Sequence, residues 1–146
     1  MKCSEVMTKD PSCCVPTDTV FEAAQLMKTE DVGPIPIVKD KDSNRLEGIV
    51  TDRDLALKVV AEALDPKTTT VQDVMTTSVI SCRPDDNVNE VIALMEEHQI
   101  RRIPIVDSSD RLVGIIAQAD IATRMEAPKK TAEVVESISQ AASTGA

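Results

Sequence analysis

The segment Gly48-Ile49-Val50-Thr51-Asp52-Arg53-Asp54 holds the residues best placed to do chemistry. An apolar run that reads as a strand ends at Thr51, and Asp54 follows in the first turn of a helix. That spacing sets the Thr51 hydroxyl and the Asp54 carboxylate on one side of the helix start. Backbone N–H groups there are unpaired and negative charge is favoured. A carboxylate so placed can accept hydrogen bonds from two adjacent sugar hydroxyls, each worth about 1.5–3 kcal/mol net. Thr-x-x-Asp before an apolar run is equally a capping box, in which the two side chains serve only the helix end. A second segment, Gly114-Ile115-Ile116-Ala117-Gln118-Ala119-Asp120, keeps the acid as Asp120 and replaces the hydroxyl by Ala117. Retention of the acid without its hydroxyl partner favours a role beyond capping; both readings stay open here.

The two segments belong to a repeat. Val6-Met7-Thr8 recurs as Val74-Met75-Thr76, and Ile35-Pro36-Ile37-Val38 as Ile103-Pro104-Ile105-Val106, 68 positions on. Leu46 to Val50 recurs as Leu112 to Ile116 at an offset of 66, so the first copy carries two extra residues within Lys39 to Asn44. The expected divisions are repeat one at 1–66, repeat two at 67–126 and a tail at 127–146. Two copies of one unit usually pack about a pseudo-twofold axis and form related clefts, where ligands bind.

Each copy parses into the same elements. In the first, Asp10 to Pro16 reads as extended, and Asp18 or Thr19 caps a helix with Val20, Ala23, Ala24 and Met27 at helical spacing. Gly33 and Pro34 stop that helix. Ile35 to Val38 and Leu46 to Val50 read as strands about a polar turn. Thr51 or Asp52 then caps a helix bearing Leu55, Leu57, Val59 and Val60. The second copy gives extended Val79 to Cys82, helix Asn87 to His98, strands Ile103 to Asp107 and Leu112 to Ile116, and helix Gln118 to Met125. The expected fold is α+β: two β-α-β-β-α repeats about a pseudo-twofold axis, sheets facing and helices outside. In the tail, Val134, Val135 and Ile138 suggest one amphipathic helix or a loosely docked end.

Composition narrows the function classes. The chain has one Phe and no Trp or Tyr, so its core must be built from Val, Ile, Leu, Met and Ala. That scarcity, with a net charge of −9, speaks against nucleic-acid binding, which needs stacking platforms and phosphate-neutralising bases. It speaks equally against anionic membrane surfaces. No apolar run is long enough to span a bilayer and no signal-peptide pattern opens the chain, so a cytoplasmic protein is expected. Cys3, Cys13, Cys14 and Cys82 form no C-x-x-C pair, and the single His98 has no partner at helical spacing, so no metal site is expected. Cys14 and Cys82 occupy equivalent repeat positions and read either as small buried residues or as a redox pair. No nucleophile is set beside an orienting base, so no catalytic residue is assigned.

Taken together, the Val-Met-Thr start of each copy, the Ile-Pro-Ile-Val strand and the Gly48–Asp54 pattern resemble the CBS domain, named after cystathionine β-synthase. The resemblance covers roughly Val6 to Met125 and implies a stand-alone tandem pair, or Bateman module. It implies a non-catalytic regulatory module that binds an adenosine-containing ligand between the copies: AMP, ADP or ATP first, with S-adenosylmethionine or NAD in some members. Ribose contacts carry over to Asp54, with Thr51 beside it, and to Asp120. Adenine would slot near Thr76 to Ile80 and Ile103 to Ile105 at the Asp54 site, and near Thr8 to Ser12 and Ile35 to Ile37 at the Asp120 site. Thr8, Thr76, Ile37 and Ile105 are therefore candidate contacts. Phosphate would fall to Arg101 and Arg102, where the first copy has only Gly33 and Pro34; salt bridges to acidic neighbours are the other reading of that pair. Arg53 could reach a phosphate or an acidic partner surface. On this reading the Asp54 site is the better ribose binder. The resemblance also implies a homodimer through the helices after Asp54 and Asp120, and a separate regulated protein. The alternative is a structural or dimerisation module with vestigial sites.

Overall fold

The computed structural model describes residues 1–124. It divides into two compact units. One, the β4–β5 unit (β4, Arg102–Val106; β5, Leu112–Ala117), comprises Met1–Pro11, Ile80–Ser108 and the described residues from Val113 on. The other, the β2–β3 unit (β2, Pro34–Val38; β3, Leu46–Thr51), comprises Ser12–Val79 with Ser109–Leu112. The first eleven residues thus pack with the second copy's strands rather than with their own.

In the β2–β3 unit, helix α2 (Val20–Glu30) starts at Thr19, whose hydroxyl accepts from Glu22 N–H while Glu22 reaches back to Thr19 N–H. Val20, Ala23 and Met27 form its buried stripe, and Asp31, in the left-handed region, closes it. The helix stops before Gly33, and strands β2 (Pro34–Val38) and β3 (Leu46–Thr51) follow as an antiparallel pair. Helix α3 (Asp52–Leu55) continues as a π-helical turn over Ala56–Val60. Of the apolar residues expected on this helix only Val59 is buried; Leu57 and Val60 stand in solvent because they lie off the face that Leu55 and Val59 share. A 3₁₀ turn at Val71–Asp73 then leads to Thr76, which pairs with Ile49 beside β3.

The β4–β5 unit repeats this plan. A short helix α1 (Cys3–Val6) and strand β1 (Thr8–Lys9) open the chain, and neither is in the expected element list. Helix α4 (Val88–His98), capped by Asn87, buries Val88, Val91, Ile92 and Met95. Strands β4 (Arg102–Val106) and β5 (Leu112–Ala117) join β1 in a sheet of order β1-β5-β4, with Thr8 opposite Ile115. Helix α5 spans Gln118–Arg124. Met125 and the tail residues Val134, Val135 and Ile138 lie outside the described residues.

The expected extended segments at Asp10 to Pro16 and Val79 to Cys82 contract to single parallel bridges, Cys14 to Ile37 and Cys82 to Ile105. Pro11, Pro16 and Pro84 carry no N–H with which to extend a ladder. Both cores lack aromatic residues, and the only Phe, Phe21, is exposed with Lys67 5.6 Å from its ring centre. Cys3, Cys14 and Cys82 are unbridged core residues. Burial pushes their thiols up to about 12, 12 and 11 respectively, so each stays protonated near neutrality and packs as a small apolar group.

Candidate functional site

At the end of β3 the backbone turns into α3 and the full capping box forms. Asp54 N–H donates to Thr51 Oγ1 at 3.1 Å, and Thr51 N–H donates to Asp54 Oδ2 at 2.9 Å. The second carboxylate oxygen, Oδ1, lies 3.2 Å from Lys58 Nζ, one helical turn on. The same ammonium donates to Val74 carbonyl at 2.9 Å, tying the acid to the Val74–Thr76 segment. Asp54 is mostly sheltered, its side chain 16% exposed.

At the end of β5 half of this box survives. Ala117 N–H donates to Asp120 Oδ2 at 2.9 Å, and the backbone N–H of Asp120 has no threonine hydroxyl to receive it. Capping therefore accounts for keeping an acid at 120 without its hydroxyl partner, and the contrast between copies no longer separates a capping role from a binding role. A different hydroxyl stands near: Thr8 Oγ1 is 3.5 Å from Asp120 Oδ1. Arg124, four residues after the acid as Lys58 is after Asp54, donates from Nη1 to the carbonyls of Val6 and Met7, the latter at 2.8 Å.

Each acid thus sits beside the Val-Met-Thr segment that begins the other copy. The methionine of that segment lies over a glycine of the strand. A Cβ on Gly48 would lie 2.8 Å from Met75 Sδ and 2.9 Å from Thr76 carbonyl oxygen, and one on Gly114 would collide with Met7 Sδ. Only glycine lets the segment approach this closely.

Arg101 and Arg102 stand at the same helix start as Asp120. Gln118 N–H donates to Arg101 carbonyl at 3.0 Å, just as Asp52 N–H donates to Gly33 carbonyl at 3.0 Å. Arg101 is exposed and Arg102 half-buried; Arg53 is exposed between Asp52 and Asp54. Thr8 and Thr76 are exposed beside Asp120 and β3. Ile37 and Ile105 are wholly buried in the hydrophobic cores of their own units. Sequence reasoning missed Lys58, Arg124, Asp52 and Gln118; aligning the copies on Asp54 and Asp120 would have paired Lys58 with Arg124. Among the described residues no group of three His, Cys, Asp or Glu side chains could hold a metal ion. No helix among them is long and apolar enough to cross a membrane.

The model of the CBS domain matches residues 3–61 and 71–127. Hypoxic response protein 1 of Mycobacterium tuberculosis is 39% identical over 121 residues, covering 83% of this chain and 82% of the relative. A crystal structure of Hypoxic Response Protein I with two coordinated zinc ions aligns with a TM-score of 0.78 at 35% identity, over 86% of this chain and 99% of the other. The CBS domain pair of protein MJ0100, in complex with 5′-methylthioadenosine and S-adenosyl-L-methionine, aligns at 0.73 and 30% identity, over 84% and 93%. CBSX2 in complex with AMP aligns at 0.70 and 25% identity, over 83% and 93%.

Proposed function

Because this chain belongs to the CBS-domain family, whose pairs are regulatory modules, we propose that it is a non-catalytic sensor of adenosine-containing ligands. AMP, ADP and ATP are the first candidates, with S-adenosylmethionine and NAD behind them. The observation that carries this reading is the recurrence, in both copies, of one acid at one helix start. Each has one oxygen fixed by a backbone N–H and the other beside a donor from the same unit, Lys58 or Thr8. Ribose hydroxyls would share the second oxygen. Arg101 and Arg102 would meet phosphate with paired, charge-assisted bonds. Thr76 and Thr8 would line the two ends. Support from relatives comes from the structures with AMP and with adenosyl ligands.

Isothermal calorimetry with AMP, ATP, NAD and S-adenosylmethionine tests the reading. Saturable heat with at least one ligand is expected. No heat with any, at protein well above micromolar, overturns it. Ligand binding would change the surface shown to a regulated partner, and linkage requires that partner to alter ligand affinity in return.

A second reading rests on Leu57, Val60 and Leu64, which stay 50%, 76% and 46% exposed after α3. This apolar surface suits a dimer contact, although Val59 and Ile121 on the helices after the two acids face the cores. Sedimentation with and without nucleotide separates the two: a dimer indifferent to every ligand favours the structural module.

A further inference from the structure

We propose that the two acid-bearing ends take different ligand classes: a phosphorylated adenosine nucleotide at Asp120, and a phosphate-free adenosyl ligand, neutral or cationic, at Asp54. This rests on the adenosine-binding reading above and adds the chemistry of each end.

The charges set around each acid differ by two. Around Asp54 stand Asp52, Arg53 and Lys58, so two acids face two bases. The corresponding segments of the second copy carry Arg101, Arg102, Asp120 and Arg124, three bases to one acid. Lys58 and Arg124 occupy equivalent places and cancel in the comparison. The difference lies where the helix start meets the residue before the proline strand. In the second copy that junction is the Gln118 N–H on the Arg101 carbonyl, so a neutral residue stands opposite an arginine. In the first it is Asp52 against Gly33, and a Cβ at Gly33 would lie 3.3 Å from each carboxylate oxygen of Asp52. A carboxylate therefore fills the place corresponding to an arginine's approach.

One Asp52 oxygen is held by Arg53 N–H at 2.9 Å, which fixes the negative charge at that junction. A phosphate brought there would meet this charge, with Arg53 flanked by two acids and Lys58 already on Asp54. A neutral thioether or a cationic sulfonium would meet no such penalty. At the other end the residue at that junction is an arginine with a second arginine next to it, and its partner across the junction, Gln118, carries no charge.

Titration of the full chain tests the split. AMP should saturate at one equivalent per chain, and 5′-methylthioadenosine added to AMP-saturated protein should bind one further equivalent. Arg101→Met with Arg102→Met should weaken AMP by roughly tenfold or more and leave a 5′-methylthioadenosine site intact. Gly33→Arg with Asp52→Gln should raise AMP to two equivalents. Two AMP sites of equal affinity in the unaltered protein overturn the split alone, as does a failure of 5′-methylthioadenosine to bind beside AMP. No binding of either ligand overturns the split together with the reading beneath it. Both unaltered-protein outcomes stand whether or not the variants fold.

Discussion

The two helix starts contain a reciprocal experiment. Thr51→Ala gives the first copy the arrangement of the second, and Ala117→Thr does the reverse. At Thr51 the lost contact is the 3.1 Å bond from Asp54 N–H to Oγ1, while the bond from residue 51 N–H to Asp54 survives, as its counterpart does at Ala117. Losing a threonine cap costs about 0.5–2 kcal/mol, typically about 1. For a chain of this length that is a fall of about 3–4 °C in Tm. Ala117→Thr should return about the same amount, because the backbone N–H of Asp120 has no threonine hydroxyl and Gly114–Asp120 follows the course of Gly48–Asp54. Urea unfolding followed by circular dichroism measures both, with the slope unchanged if only stability moves. A silent Thr51→Ala, or an Ala117→Thr that lowers the midpoint, would refute the equivalence of the two helix starts.

Other expectations follow from the same geometry. Gly48→Ala should cost about 1–3 kcal/mol, since its Cβ would press on Thr76 backbone, whereas Gly33→Ala meets only the Asp52 side chain and should stay within about 0.5 kcal/mol; thermal melts compare them. Lys58→Met should lower stability by about 0.5–1 kcal/mol, the ion pair being discounted for the lysine's exposure, and urea midpoints would show it. The buried thiols lie above their usual value of 9.0 in the folded chain, so unfolding releases protons above that pH. Their contribution is complete below about pH 9 and is lost as pH rises towards 11–12, on the order of 1 kcal/mol per thiol per pH unit, which denaturation from pH 8 to 11 would detect. Alkylation at neutral pH should reach half-exposed Cys13 and spare the other three until the chain unfolds.

Much of the fold was legible because the apolar periods were clean. Val20, Ala23 and Met27, and Val88, Val91, Ile92 and Met95, mark both helices; Thr19, one of two caps the pattern offered, starts the first, and Asn87, read as the first helical residue, caps the second. The proline strands read as buried runs and are buried. Long-range assignment was not legible. Nothing local in Val6-Met7-Thr8 says that its partner is Gly114 rather than Gly48, because the two strands are near copies. The candidate site entered the reading as a pair of acids and a pair of arginines, while Lys58 and Arg124 looked like ordinary helix-surface charges. Their aim at the Val74, Val6 and Met7 carbonyls depends on how the chain returns to those strands.

The placement of Met1–Pro11 with β4 and β5 has a consequence for biosynthesis. Thr8 waits for Asp120, 112 positions later in the chain, before the two can meet. At ribosomal speeds that is about 6–20 s during which Cys3, Val6 and Met7 have left the exit tunnel without the strands that will cover them. The β2–β3 unit has no such delay from this segment, since Ser12–Val79 is made without interruption. Synthesis should therefore complete that unit's main segment first and leave the opening residues exposed to chaperones until α5 emerges.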